Sequence, residues 1–282
     1  MIPTEEQENA LIEAVRAAAK AEILPRFRNL DAEAIGAKAN VDDLVTVADR
    51  GSEAMIGAAV KQILPEAEVI GEEAVSENPE LLERIAEAET SVIIDPIDGT
   101  WNFARGLTIF GVLLAVVEKG ETVFGLLYDP VVDDWILARK GGGAWFCTPD
   151  GKREKLDISG PQPQTEFAGF AAPYLLPATK RVRMASELLE FGRVMDLRCA
   201  CHVYRMMCFG TGRFYVDFKL MPWDHAAGAL AVSEAGGCVG LLDGRAYRPT
   251  IHEGYMVSAR DPETLAALRE DLAWMLEAES TG

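Results

Sequence analysis

The sequence predicts an α+β half followed by an α/β half. Three observations carry this. Apolar runs at Ile109 to Val117 and Thr122 to Tyr128, split by Glu118-Lys119-Gly120-Glu121, read as a hairpin in an antiparallel sheet. Strand-like and helix-like segments alternate beyond residue 165, as α/β folds require. A polar stretch, Thr148 to Gln164, with three Pro and two Gly, separates the two patterns. The expected division is 1–150 and 151–282.

The elements follow in order. Glu5 to Phe27 is Ala-rich, and Leu11, Val15, Ala18 and Ala19 recur at helical spacing with Pro25 near the end. A second helix is expected from Ser52, as its cap, to Leu64, before Pro65. Val69-Ile70 reads as a short strand ending at Gly71-Glu72-Glu73, and Pro79 to Glu89 as a charged helix. Ser91-Val92-Ile93-Ile94 reads as a buried strand. Strands at Trp135 to Arg139 and after Gly141-Gly142-Gly143 complete the first half. In the second, strands are expected at Phe167 to Ala171, Val194 to Leu197 and Cys238 to Leu242. Helices are expected at Thr179 to Phe191, Val203 to Phe209, Asp224 to Ala235 and Pro262 to Glu277.

The 282 residues are nearly half hydrophobic and carry a net charge of −18. That balance gives no basic footprint for nucleic acid and disfavours an anionic membrane surface. It suits a protein that gathers divalent cations. No run of about 18 apolar residues is present to span a membrane. The acidic N-terminus lacks signal-peptide character, so a cytoplasmic location is expected. Five cysteines in a reducing compartment are expected to stay free. Cys199-Ala200-Cys201-His202 lacks a fourth ligand at zinc spacing.

The chemistry concentrates in Asp95-Pro96-Ile97-Asp98-Gly99-Thr100-Trp101-Asn102-Phe103. Two carboxylates close an apolar strand, and a Gly-Thr pair opens a short helix. Carboxylates there are costly unless a cation neutralises them. A plain turn, Asp before Pro and Asp before Gly, is the alternative. Three further acids end elements: Asp49, Glu72 and Asp224. Each alone also reads as a helix cap or a surface acid. The Asp95/Asp98 pair beside a helix start points to phosphate-ester chemistry run by magnesium.

The stretch from Asp95 to Phe103 resembles the signature of the inositol monophosphatase family, in the magnesium-dependent, lithium-sensitive-type phosphatase superfamily. Trp223-Asp224-His225-Ala226-Ala227-Gly228-Ala229-Leu230 through Glu234-Ala235-Gly236-Gly237 resembles its second signature. Asp43-Leu44-Val45-Thr46 with Asp49, and Ile70-Gly71-Glu72-Glu73, agree in order and spacing. The resemblance implies a layered αβαβα sandwich of the sugar-phosphatase type. It implies Mg2+, two to three ions per site, held by Glu72, Asp95, the Ile97 carbonyl, Asp98 and Asp224. The first half would carry most of these ligands and the second would add Asp224 and substrate contacts. Gly99 and Thr100 amides would bind the phosphate. Asp49, Thr100 and Glu72 would serve the attacking water. Asp217, His202 and Trp101 would face the substrate, and Lys38 would lie on a loop near the third metal. The implied substrate is a small phosphate monoester, inositol 1-phosphate first, with 3′(2′),5′-bisphosphate nucleotidase and histidinol-phosphate phosphatase as alternatives. Arg105 and Arg181 to Arg183 are candidates for a second phosphate, against the default of exposed charge. A homodimer is the expected assembly. A non-catalytic partner-binding protein on the same fold is the reading from another class.

Overall fold

The computed structural model describes residues 2–30, 35–37, 44–160 and 167–277. Lys38 and Asp43 lie outside the described residues, as does the 161–166 part of the polar stretch. Thr4 and Gln7 form a capping box that starts α1 (Glu5–Ala18), which runs on as a π-helical turn over Ala19–Ile23. β1 (Ile35–Ala37) pairs antiparallel with β2 (Leu44–Thr46). α2 (Val47–Ile63) starts earlier than expected. Its cap is Thr46, in a capping box with Asp49. Ser52 lies inside the helix and donates to the Ala48 carbonyl at 2.7 Å. β3 (Glu68–Gly71) leads into α3 (Glu72–Glu77). The expected charged helix splits into a 3-10 turn, Pro79–Glu83, and α4 (Arg84–Glu87).

β4 (Thr90–Asp98), α5 (Thr100–Ala104), β5 (Gly111–Glu118), β6 (Glu121–Asp129), β7 (Asp134–Arg139), β8 (Gly143–Cys147) and β9 (Arg153–Leu156) follow. They form a seven-stranded sheet of order β3-β4-β5-β6-β7-β8-β9, antiparallel except where β3 runs parallel to β4. Lys119 and Gly120, at φ 50° and 74°, make the two-residue turn of the β5–β6 hairpin. β9 draws residues beyond 150 into this sheet.

The second sheet has order β11-β10-β12-β14-β13. Its strands are β10 (Phe167–Ala171), β11 (Arg193–Met195), β12 (Phe214–Asp217), β13 (Cys238–Leu241) and β14 (Met256–Ala259). β10 lies parallel to β11 and β12, and β14 antiparallel to β12 and β13. Its helices are α6 (Ala178–Glu190), α7 (Ala200–Cys208), α8 (Pro222–Glu234) and α9 (Pro262–Asp271).

Strand alternation sorts the core into layers. Val92 and Ile94 of β4 pack with Leu11 and Val15 of α1 and Ile56 and Val60 of α2. Ile93, on the opposite face, packs with Tyr204 of α7 and Ala227 of α8, and Phe170 and Tyr215 join from the second sheet. Met184 of α6 and Leu268 of α9 cover that sheet's outer face, with Phe214 and Val216. The result is the αβαβα sandwich. Among the described residues no helix is long and apolar enough to cross a membrane.

α7 and α8 meet closely because Gly228 leaves room. A Cβ there would lie 2.0 Å from the Tyr204 ring. Gly228→Ala is expected to cost about 1–3 kcal/mol of stability, the usual range for overpacking. Thermal unfolding of the variant checks this; an unchanged Tm would mean that Tyr204 has room to move.

Candidate active site

The site forms where β4 loses its regular pairing. β4 and β5 stay in register from Thr90 to Asp95, shift, and meet again at Asp98 opposite Gly111. By alternation Asp95 shares the face of Ile93, toward α8. Asp224 sits in the first turn of α8. Ligand oxygens of Asp95, Asp98 and Asp224 lie within 4.8 Å of one another. Asp98 Oδ2 accepts from the Cys201 amide at 2.5 Å and from Cys199 Sγ at 3.2 Å. Burial, the largest cause, pushes Asp98 up, against those hydrogen bonds. Burial and then the Asp98 charge push Asp224 well up, and Lys219 offsets part of this. Such a set of hard oxygen donors fits a divalent cation like Mg2+.

Glu72 opens α3 on the same cavity, and its charge contributes to the raised Asp49, Asp98 and Asp224. Asp49 is buried in the first turn of α2. Its Oδ2 accepts from the amide of Thr46 at 2.7 Å and its hydroxyl at 2.5 Å. Its Oδ1 lies 3.0 Å from the Thr100 hydroxyl, which is also 2.8 Å from the Ile97 carbonyl. Desolvation outweighs these bonds and pushes Asp49 up to about 6. Gly99, at φ 87°, turns the chain from β4 into α5. A Cβ there would meet the Ile109 carbonyl at 2.9 Å, so glycine is required twice over.

Beside these residues lies a cavity of 380 Å³, within the usual range for a small-molecule site. Glu72, Asp98, Gly99, Thr100, Trp101, Asp217 and Asp224 all line it. Asp217 ends β12, where its Oδ1 accepts from the Lys219 amide at 2.8 Å and its Oδ2 from the Tyr215 hydroxyl. The structure moves His202 off the cavity wall. One residue past Cys201 on α7, it turns its Nε2 to the Phe110 carbonyl, at 3.1 Å, with Asp129 3.7 Å away. Cys199 and Ala200 line the cavity instead, and all five cysteines are free.

Sequence reasoning missed three supports. Asn102 Nδ2 donates to the carbonyls of Ile109 and Leu197, both at 2.8 Å, which ties the signature to the segment before α7. His225 Nε2 lies 3.0 Å from the Lys219 carbonyl and its Nδ1 2.9 Å from the Tyr204 hydroxyl. A carbonyl only accepts, so Nε2 carries the proton and Tyr204 donates to Nδ1. Burial lowers the His225 pKa and keeps it in this neutral form. Arg198, at φ 50°, stacks on Trp101 in the cavity wall. Asn102 and His225 fall inside the two signatures, which was their signal; Arg198 had none.

Comparison with known proteins follows this geometry. The inositol monophosphatase family model matches residues 4–274. A Thermotoga maritima protein named fructose-1,6-bisphosphatase/inositol-1-monophosphatase is 31% identical over 210 residues, 74% of this chain and 75% of the relative. The Nus factor SuhB of Haemophilus influenzae is 34% identical over 256 residues, 87% of this chain and 89% of the relative. Among solved structures, an inositol monophosphatase from Zymomonas mobilis superposes with a TM-score of 0.75 at 26% identity, covering 96% of this chain and 99% of its own. With its signatures, its layered fold and a match over nearly its whole length, the chain belongs to the inositol monophosphatase family.

Proposed function

We propose that the chain hydrolyses a small phosphate monoester with Mg2+, inositol 1-phosphate being the first substrate to test. One observation carries this: Asp95, Asp98 and Asp224, from distant parts of the chain, converge, and Asp98 and Asp224 line a cavity of substrate size with Gly99 and Thr100. Glu72, Asp95, the Ile97 carbonyl, Asp98 and Asp224 would hold the metal. Bound there, Mg2+ would neutralise phosphate charge and lower the pKa of a coordinated water.

The chain's own groups do the rest. Asp49 accepts a hydrogen bond from the Thr100 hydroxyl, which turns the Thr100 lone pairs toward a water and lets them accept from it. An Asp49 raised to about 6 is ionised at neutral pH, yet basic enough to draw off a proton. The first turn of α5 offers the Gly99 and Thr100 amides to the phosphate. Phosphoryl transfer needs positioning and charge neutralisation more than a covalent nucleophile. The same reading keeps the chain in the cytoplasm as a homodimer.

The name of the Haemophilus influenzae relative, Nus factor SuhB, favours a second reading, in which the fold serves a partner. A phosphate-release screen over inositol phosphates, bisphosphorylated nucleosides and histidinol phosphate, with and without Mg2+, decides between them. Asp95→Asn is expected to abolish turnover with the fold intact. Wild-type activity in that variant would remove Asp95 from the metal site; no release from any ester would favour the partner reading.

Asp217→Ala is expected to lower kcat/KM for inositol 1-phosphate more than for an aryl phosphate. Equal losses would break its assignment to the sugar.

The buried carboxylates also set a pH dependence. Asp49 has a folded pKa of about 6, above its unfolded value near 3.9, so its stabilising share is complete only below the lower value. It is lost as pH rises through 6. The metal-free protein is therefore expected to lose Tm between pH 5 and 7. Mg2+ should raise Tm more at pH 7 than at pH 5, because the ion binds carboxylates and competes with protons. A Tm rise independent of pH would contradict a carboxylate site.

A further inference from the structure

One cluster in the cavity wall is left without a part in phosphate hydrolysis. Arg198, ahead of α7, has φ 50°, a left-handed conformation that long L side chains seldom adopt. Its amide donates to Asp196 Oδ1 at 2.8 Å, which holds the backbone there. Its guanidinium carbon lies 4.3 Å from the Trp101 ring centre and 4.9 Å from that of Tyr174. Arg105 lies 4.2 Å from the same Trp101 ring. Among the described residues the Arg198 guanidinium has no carboxylate at ion-pair distance, although acids outnumber bases 45 to 27 in the chain. It lines the cavity with Lys219, the other basic residue of the described wall.

We propose that Arg198 binds a second anionic group on the substrate, a carboxylate or a further phosphate, apart from the ester that is cleaved. The proposal rests on the phosphatase reading and narrows its substrate class. Stacking on rings engages the faces of a guanidinium and leaves its in-plane N–H donors for an anion. Two such donors match a carboxylate or phosphate edge, and the rings fix the fork's orientation beforehand. Two of the other basic candidates are committed elsewhere. Arg181 donates to the Leu176 carbonyl at 2.7 Å, and Arg183 pairs with Glu187 and covers Trp274.

Calorimetric binding of phenylphosphonate and 4-carboxyphenylphosphonate, in Mg2+, tests this on the full chain. The wild type is expected to bind the carboxylated ligand about tenfold tighter, the scale of one charge-assisted hydrogen bond. Arg198→Gly, which suits the left-handed backbone, should bring the ratio to about one. Arg198→Lys, which keeps the charge and loses the fork, should keep part of it. A wild-type ratio near one, or an unchanged ratio in Arg198→Gly, overturns the proposal. Hydrolysis of phosphate esters with a ratio near one sinks the anion site alone. A tenfold ratio in a protein that hydrolyses no ester keeps the anion site and sinks the phosphatase reading.

Discussion

The fold is arranged around a cost. Asp49, Asp95 and Asp98 are buried, and Asp224 joins them at the cavity edge, in a region that raises Asp49, Asp98 and Asp224. Holding several carboxylates in low dielectric is unfavourable unless positive charge is supplied. Hydrogen bonds from Thr46, Cys199 and Cys201 reduce the cost without removing it. Stability is given up locally, as is usual where groups are poised for chemistry. The rest of the sandwich, with apolar cores on both faces of each sheet, tolerates that loss.

The position of each acid follows from backbone rules. Regular pairing of β4 would carry Asp98 along the sheet; the shift after Asp95 re-aims it toward the α7 amides. Asp49 is where it is because a capping box needs an acceptor at its third position. One carboxylate thus closes a helix and accepts from Thr100. Local structure and site geometry share one carboxylate, its Oδ2 serving the cap and its Oδ1 Thr100, so neither role can be altered alone.

Much of this was legible in sequence. The apolar run before Asp95, the hairpin at Lys119-Gly120 and the helices with clear apolar spacing all declared themselves by period and turn chemistry. Other features were hidden for physical reasons. Ser52 looked like a cap, but Thr46 with Asp49 satisfies more donors. β9, β12 and β14 have four residues each, too few for alternation to show against their surroundings. The resemblance turns His202 to the substrate, whereas the pitch of α7 turns it toward the Phe110 carbonyl. Arg198 carries no periodic signal at all; its role depends on a positive φ and two rings far apart in sequence.

The acidic cluster also joins distant stretches of the chain. α8, from the second half, packs on β4, β5, β6, β7 and β8 of the first, and its first turn carries Asp224 to Asp95 and Asp98. Neither β4 nor α8 alone carries all three carboxylates. A ligand that binds only the assembled set stabilises the assembled state by mass action. Any ligand of all three carboxylates would thus add to the packing of α8 against the sheet. The neutral His225, locked between Tyr204 and the Lys219 carbonyl, fixes that helix start. Pre-organisation of this kind spends hydrogen bonds on the free protein so that fewer groups need ordering when the ligand binds.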